Sequence, residues 1–238
     1  MNNRDFDFLG GEVLLINKPY DWTSFDVVNK IRCQLKYLYN IKKIKIGHAG
    51  TLDPLASGLL ILCTGAFTKK IDTYQAFEKE YIGKFYLGAT TPSSDLETSV
   101  DEKFETSHIT HSMINDTAKS FIGENEQLPP IFSAKKIDGE RAYEYARRGE
   151  DVVLAKRKII IKEFEISDIS MPEVSFRVVC SKGTYIRSLA RDFGKLLGSG
   201  AYLSELCRTR IGEFLLADAM TLDDFEKMIT EKKTEVNF

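Results

Sequence analysis

Around Asp53 the chain reads Gly47-His48-Ala49-Gly50-Thr51-Leu52-Asp53-Pro54-Leu55-Ala56-Ser57-Gly58. Three glycines in these twelve residues allow tight backbone geometry and close approach of a ligand. A carboxylate in such a loop can act as a nucleophile or as a general base. It can equally do no more than close a turn before Pro54. The familiar engines are absent: there is no GxxxxGKS or GxxxxGKT phosphate loop, no GxGxxG after a strand, no GxSxG elbow and no HExxH. His108 and His111 stand in a polar segment without a Cys or His cluster, so they read as a solvated helix start and no metal site is expected. Any chemistry must use ordinary side chains.

Charge narrows the partner. The 238 residues carry 33 Lys and Arg against 35 Asp and Glu, a net charge of -2 that argues against nucleic acid when taken globally. Its distribution argues the other way. Residues 92–126 hold eight acids and two bases, residues 135–162 nine bases and five acids, and residues 179–212 six bases and two acids. Two stretches are thus net +4, either solvated faces or a track for phosphates. Cys33, Cys63, Cys180 and Cys207 lie far apart, which fits reduced, buried thiols better than disulfides or zinc. The longest wholly apolar run, residues 59–63, is far short of the ~20 needed to span a bilayer, and the start lacks a signal-peptide pattern. A cytoplasmic protein without a membrane partner is expected.

The elements that would position Asp53 are mixed α and β, with no internal repeat and no Pro/Gly-rich linker, so one interlocked body is expected. Residues 12–16 read as a strand ended by Lys18-Pro19. Ser24 is placed to cap a helix in which Phe25, Val28, Ile31, Leu35 and Leu38 recur at core-facing spacing. Residues 42–46 look like a second strand, and the apolar run 59–63 like a buried one. Residues 79–87 alternate as a strand, and 109–121 form a helix. Residues 159–166 and 174–180 pair as antiparallel strands around Met171-Pro172. A helix over 186–197, a strand over 202–211 and a short helix capped by Thr221 complete the chain.

The Asp53 string closely resembles the catalytic loop of the TruB family, the tRNA pseudouridine-55 synthases. Further stretches resemble the family in order: Asn17-Lys18-Pro19 with Thr23-Ser24, Lys79-Glu80-Tyr81 through Leu87-Gly88, and Leu128-Pro129-Pro130-Ile131-Phe132-Ser133-Ala134 with Tyr143-Glu144-Tyr145-Ala146-Arg147. Ser181-Lys182-Gly183-Thr184-Tyr185-Ile186-Arg187 resembles its arginine motif, and Leu206, Arg208 and Gly212 its closing strand. The resemblance covers about residues 11 to 230. It implies a pseudouridine synthase fold of the α+β class: a central, largely antiparallel mixed sheet flanked by helices, with an RNA-gripping thumb over about 128–150. It implies a single catalytic domain over 1–238, with too few residues after Gly212 for a C-terminal PUA domain.

By the same resemblance Asp53 is the catalytic carboxylate, Arg187 pairs with it and orients it, and Tyr81 stacks on the extruded uracil. A guanidinium would counter the rise in carboxyl pKa that burial brings. His48 would fill the place the base vacates, Tyr185 and Leu206 would wall the base pocket, Lys18 would belong to the substrate site, and Lys135 and Arg141 would meet phosphates. The implied partner is the T-loop of the tRNA T-arm. The reaction is redox-neutral, so no cofactor is expected, and the implied state is a monomer without an obligate protein partner.

Two departures stand out. Asp21 occupies the position where the family usually has glycine, and an acidic residue can hold a left-handed turn. Thr91-Pro92-Ser93 replaces the common Thr-Asp-Thr, with Asp95 remaining nearby. A rival reading is a tRNA folding helper that opens and re-closes the elbow. A glycoside hydrolase would want a second acid, and no motif offers one.

Overall fold

The computed structural model describes residues 6–132, 136–137, 140–141, 145, 148 and 154–236. Its strands are β1 (Val13–Lys18), β2 (Ile46–His48), β3 (Ser57–Thr64), β4 (Lys79–Leu87), β5 (Ala89–Thr90), β6 (Glu102–Lys103), β7 (Gly123–Gln127), β8 (Lys136–Ile137), β9 (Glu140–Arg141), β10 (Arg157–Ser170), β11 (Glu173–Cys180), β12 (Ala201–Ile211) and β13 (Phe214–Leu215). Its α-helices are α1 (Ser24–Tyr39), α2 (Ile71–Ala76), α3 (His111–Ser120), α4 (Ile186–Leu196) and α5 (Leu222–Val236). The chain forms two compact units, Met1–Lys79 with Cys207–Phe238, and Glu80–Leu206.

In the first unit β3 is the organising strand. It pairs antiparallel with β1 (Leu15↔Ile61) and with β2 (Gly47↔Cys63), and parallel with the end of β12 (Arg208↔Gly58). Seven of its eight residues are buried, as a strand covered on both faces requires. Leu60 and Leu62 pack with Val27, Val28, Ile31 and Leu35 of α1 and with Phe225 and Ile229 of α5. Leu59, Ile61 and Cys63 pack on the other side with Ala49 and Ile211, bordered by Phe67, Tyr74 and Phe77. Burial lifts the Cys63 thiol pKa to about 11, so that thiol stays protonated. Cys180 is also buried, but Cys33 is exposed on α1, contrary to the expectation that all four are inside.

The cap of α1 is shifted by one residue from the expected Ser24. Thr23 accepts the Asp26 amide at 3.0 Å while Asp26 accepts the Thr23 amide at 3.0 Å, a capping box that leaves Ser24 free to bond elsewhere. The inward face of α1 is Val27, Val28, Ile31 and Leu35, whereas Phe25, expected in the core, is 61% exposed. The second strand also lies further along than residues 42–46, at Ile46–His48. The final helix, α5, is 15 residues long rather than short, and Thr221 does cap it by accepting the Asp224 amide.

In the second unit β11 pairs antiparallel with β10 (Phe164↔Val178), and β10 with β7 (Ile159↔Asn125). Phe85 of β4, Phe164 of β10, Phe176 of β11 and Phe193 of α4 meet with ring centroids 4.2 to 6.2 Å apart, joined by Phe121 after α3. Such aromatic clusters dominate core energetics. Both units therefore hold largely antiparallel sheet with helices packed on it, as the α+β expectation required. Among the described residues no helix is long and apolar enough to cross a membrane.

Candidate active site

The Asp53 loop joins β2 to β3, and every limb of it is tied to a neighbour in the first unit. Ser24 Oγ donates to the Leu52 carbonyl at 3.0 Å and accepts the Leu52 amide at 2.8 Å. The Asp21 amide donates to the Pro54 carbonyl at 3.0 Å, and the Ala56 amide to the Asp53 carbonyl at 3.1 Å. Arg208, 1% exposed, donates through Nε to the Leu59 carbonyl at 2.8 Å and through Nη2 to the Gly50 carbonyl at 3.0 Å. One guanidinium thus spans both ends of the loop, which its fixed fork geometry suits. Gly50 and Gly58 have φ of 102° and 104°, a region that favours glycine.

Lys18 is fully buried, and its Nζ donates to the carbonyls of Pro19 (2.9 Å), Trp22 (2.5 Å) and Pro54 (3.1 Å). All three ammonium donors are therefore directed at backbone carbonyls of the loop surroundings, so Lys18 braces the turn after β1 against Pro54. Burial lowers its pKa to about 8; the Asp53 carboxylate opposes that, and Arg208 adds to it. Asp53 itself is half-buried between these two cations' anchoring points. The His48 pKa is lowered, first by burial and then by Arg208, with the Gly50 backbone opposing. At neutral pH its ring is uncharged, a form suited to contact with base rings.

In the second unit, Arg187 lies in the first turn of α4 and is 4% exposed. Its Nε is 3.5 Å from Asp95 Oδ2, and its Nη1 donates to the Ser93 carbonyl at 3.4 Å. Asp95 is itself buried and held: Oδ1 accepts the Glu97 amide at 2.9 Å, and its carbonyl accepts Thr91 Oγ1 at 2.6 Å. Ser93 exchanges further bonds with Thr98, so the departure from Thr-Asp-Thr builds a closed hydroxyl network. Tyr185 is fixed by Gln127, which accepts its amide at 2.8 Å and donates to its carbonyl at 3.0 Å, and Arg157 sits 5.5 Å from its ring centroid. Tyr81 is buried in β4 at 8% exposure, and Leu206 is half-buried in β12.

The residues match two family models that together run from 36 to 237: "TruB family pseudouridylate synthase (N terminal domain)" over 36–186 and "tRNA pseudouridylate synthase B C-terminal domain" over 187–237. The chain belongs to the TruB family. Among TruB relatives, tRNA pseudouridine synthase B of Flavobacterium johnsoniae is 56% identical over 224 residues, covering 94% of this chain and 98% of the relative. That of Phocaeicola vulgatus is 52% identical, covering 96% and 97%. A solved H/ACA ribonucleoprotein bound to a substrate RNA containing 2'-deoxyuridine matches with a TM-score of 0.68 at 28% identity over 96% of this chain. An archaeal box H/ACA Nop10-Cbf5 complex matches equally, and in each case this TruB chain spans 56% of the solved chain's length.

Of the residues singled out in this TruB sequence, the first unit holds Lys18, His48 and Asp53, and the second holds Tyr81, Tyr185, Arg187 and Leu206. Lys135 lies outside the described residues, and Arg141 is described only as backbone of β9. Asp21 does adopt the left-handed turn, at φ 63°. The sequence reading missed what Ser24 and Arg208 do. Their partners, Leu52 and Gly50, are 28 and 158 positions away, and no local pattern signals such bonds.

Proposed function

We propose that this TruB-family enzyme converts uridine-55 in the T-loop of tRNA to pseudouridine. The observation that carries the reading is near-full-length similarity to relatives named tRNA pseudouridine synthase B. The reaction breaks the bond from uracil N1 to the ribose C1', turns the base within the site and joins C5 to C1'. N1 gains a proton and C5 loses one, so atoms balance without redox change. Asp53 acts at the ribose, as nucleophile or as base. Arg187 orients it through its guanidinium charge. Tyr81 stacks on the uracil, Tyr185 and Leu206 wall its pocket, and His48 enters the space it leaves. Flipping the base costs a few kcal/mol, and stacking returns ~1–3 kcal/mol per base. Lys135 and Arg141, in the thumb, meet phosphates.

In this reading the protein works in the cytoplasm as a monomer, without an obligate protein partner. The test is incubation of unmodified tRNA transcript with wild type and with Asp53→Asn, followed by chemical mapping of pseudouridine. Modification of the T-loop uridine by wild type alone supports the reading. Binding without modification by wild type sinks it in favour of an RNA-folding helper.

A further inference from the structure

β7 ends at Gln127 and β10 begins at Arg157, and the two residues oppose one another in the antiparallel ladder. Both side chains reach the same turn, Ser181 to Tyr185, which links β11 to α4. Gln127, 3% exposed, directs both ends of its amide at one residue: Oε1 accepts the Tyr185 amide at 2.8 Å, and Nε2 donates to the Tyr185 carbonyl at 3.0 Å. Arg157 donates through Nη1 to the Gly183 carbonyl at 2.9 Å, and its guanidinium lies 5.5 Å from the centroid of the Tyr185 ring, within cation–π range. A Cβ on Gly183 would sit 3.0 Å from that guanidinium, and φ there is 78°, so this close fit favours glycine. β10 holds the start of the turn as well. The Ser181 amide donates to the Ile160 carbonyl at 2.8 Å, and Ser181 Oγ accepts the Ile160 amide at 2.9 Å.

Helix capping alone does not account for this arrangement. Tyr185 is the N-cap residue of α4, yet its side chain makes no capping bond, and its carbonyl already accepts the Leu189 amide at 3.1 Å. A glutamine 58 positions away fixes the same peptide from outside the helix. With the backbone held on both sides, the direction in which the ring projects is set, and the cation against the ring narrows its choice of rotamer. We propose that Gln127 and Arg157 are positioning residues of the reaction, a cross-strand pair that presets the Tyr185 ring for the target uracil; this rests on the reading of Tyr185 as a wall of the base pocket. Neither residue touches the reacting atoms. The flipped base then meets a wall that folding has already ordered, so binding does not have to order it.

The test measures single-turnover pseudouridine formation and the Kd for unmodified tRNA transcript in Gln127→Met, Arg157→Met, Tyr185→Ala and the two double variants that combine each Met substitution with Tyr185→Ala. Each Met variant is expected to slow the step by about 10- to 100-fold, the loss that a displacement near 1 Å brings. Its Kd should stay within about twofold of wild type, because phosphate contacts dominate binding. Arg157→Lys keeps a donor and a cation and is expected to fall between wild type and Arg157→Met. In the Tyr185→Ala background neither Met substitution should slow the step by more than about twofold, since the ring they hold is gone. A merely structural role gives the same loss with or without the ring, so additive losses overturn the proposal. Wild-type rates in both Met variants beside a slow Tyr185→Ala protein overturn it too, as does a Kd in Arg157→Met that weakens as much as the rate falls, the mark of a phosphate contact. A Tyr185→Ala protein at wild-type rate overturns the pocket-wall reading and the proposal with it. Arg157 is exposed, so Arg157→Met is expected to fold like wild type and carries the test if Gln127→Met does not fold.

Discussion

Gly58 and Arg208 oppose one another across the parallel pairing of β3 with β12, and a Cβ on Gly58 would lie 2.4 Å from the Arg208 carbonyl oxygen and 2.7 Å from its amide nitrogen. The same arginine then reaches back with its side chain to both ends of the Asp53 loop. Close backbone approach is what lets one buried guanidinium serve two carbonyls. Gly58→Ala adds backbone strain at φ 104° to that clash and is expected to cost at least about 2 kcal/mol, read by urea denaturation.

Arg208→Met keeps length and apolar bulk but leaves the Leu59 and Gly50 carbonyls each short of a donor. A stability loss of about 2–3 kcal/mol is expected. Because Gly50 lies three residues before Asp53, single-turnover pseudouridine formation should fall at least tenfold while the Kd for tRNA changes little. An unchanged single-turnover rate would show that the loop holds its shape without this anchor.

Lys18 makes stability depend on alkaline pH in a definite direction. Its ordinary pKa near 10.5 falls to about 8 in the folded protein, so between these values the unfolded chain binds more protons than the folded one. Stability from this group therefore rises as pH increases through that window and is lowest below pH 8, the whole span being worth about 3 kcal/mol. Denaturation of wild type beside Lys18→Met, from pH 7.5 to 10.5, should show the difference between them moving in favour of wild type. A difference that stays flat with pH would contradict the buried ammonium.

Asp95→Asn removes the carboxylate charge facing Arg187 with little change in volume, and an asparagine oxygen can still accept the Glu97 amide. Loss of this buried ion pair is expected to cost about 3–5 kcal/mol, because the guanidinium is left buried without this counter-charge. The expected signature is a kcat at least tenfold lower with KM for tRNA within twofold, because Arg187 is left less firmly oriented. Steady-state kinetics on an unmodified transcript decide it. Equal kcat in the variant would remove Asp95 from the account.

Much of the fold was legible in local pattern. The apolar run 59–63 marks a strand buried on both faces, and β3 is that strand. The two β-rich runs around Met171-Pro172 are antiparallel β10 and β11. Asp21 could be placed in a left-handed turn because few residue types tolerate one. Phe25 shows where pattern fails: it fits the helical spacing of Val28, Ile31 and Leu35 but lies at the first turn of α1, where the core does not reach. Ser24 fails in the same way. By type Ser24 is the better cap, yet Thr23 takes the role while the Ser24 hydroxyl is bonded to Leu52.

The sequence by itself determined the element types, the buried strands and the family to which the chain belongs, because periodicity, turn chemistry and motif strings are properties of neighbouring residues. Only the tertiary structure decided that Arg208 spans the Asp53 loop, that Lys18 spends all three of its donors on backbone, that Asp95 faces Arg187, and that Phe25 points to solvent. Each depends on which backbone groups are left without a hydrogen-bond partner once strands are paired and helices packed. That demand arises between residues as far apart as 158 positions, and it exists only after the chain has folded.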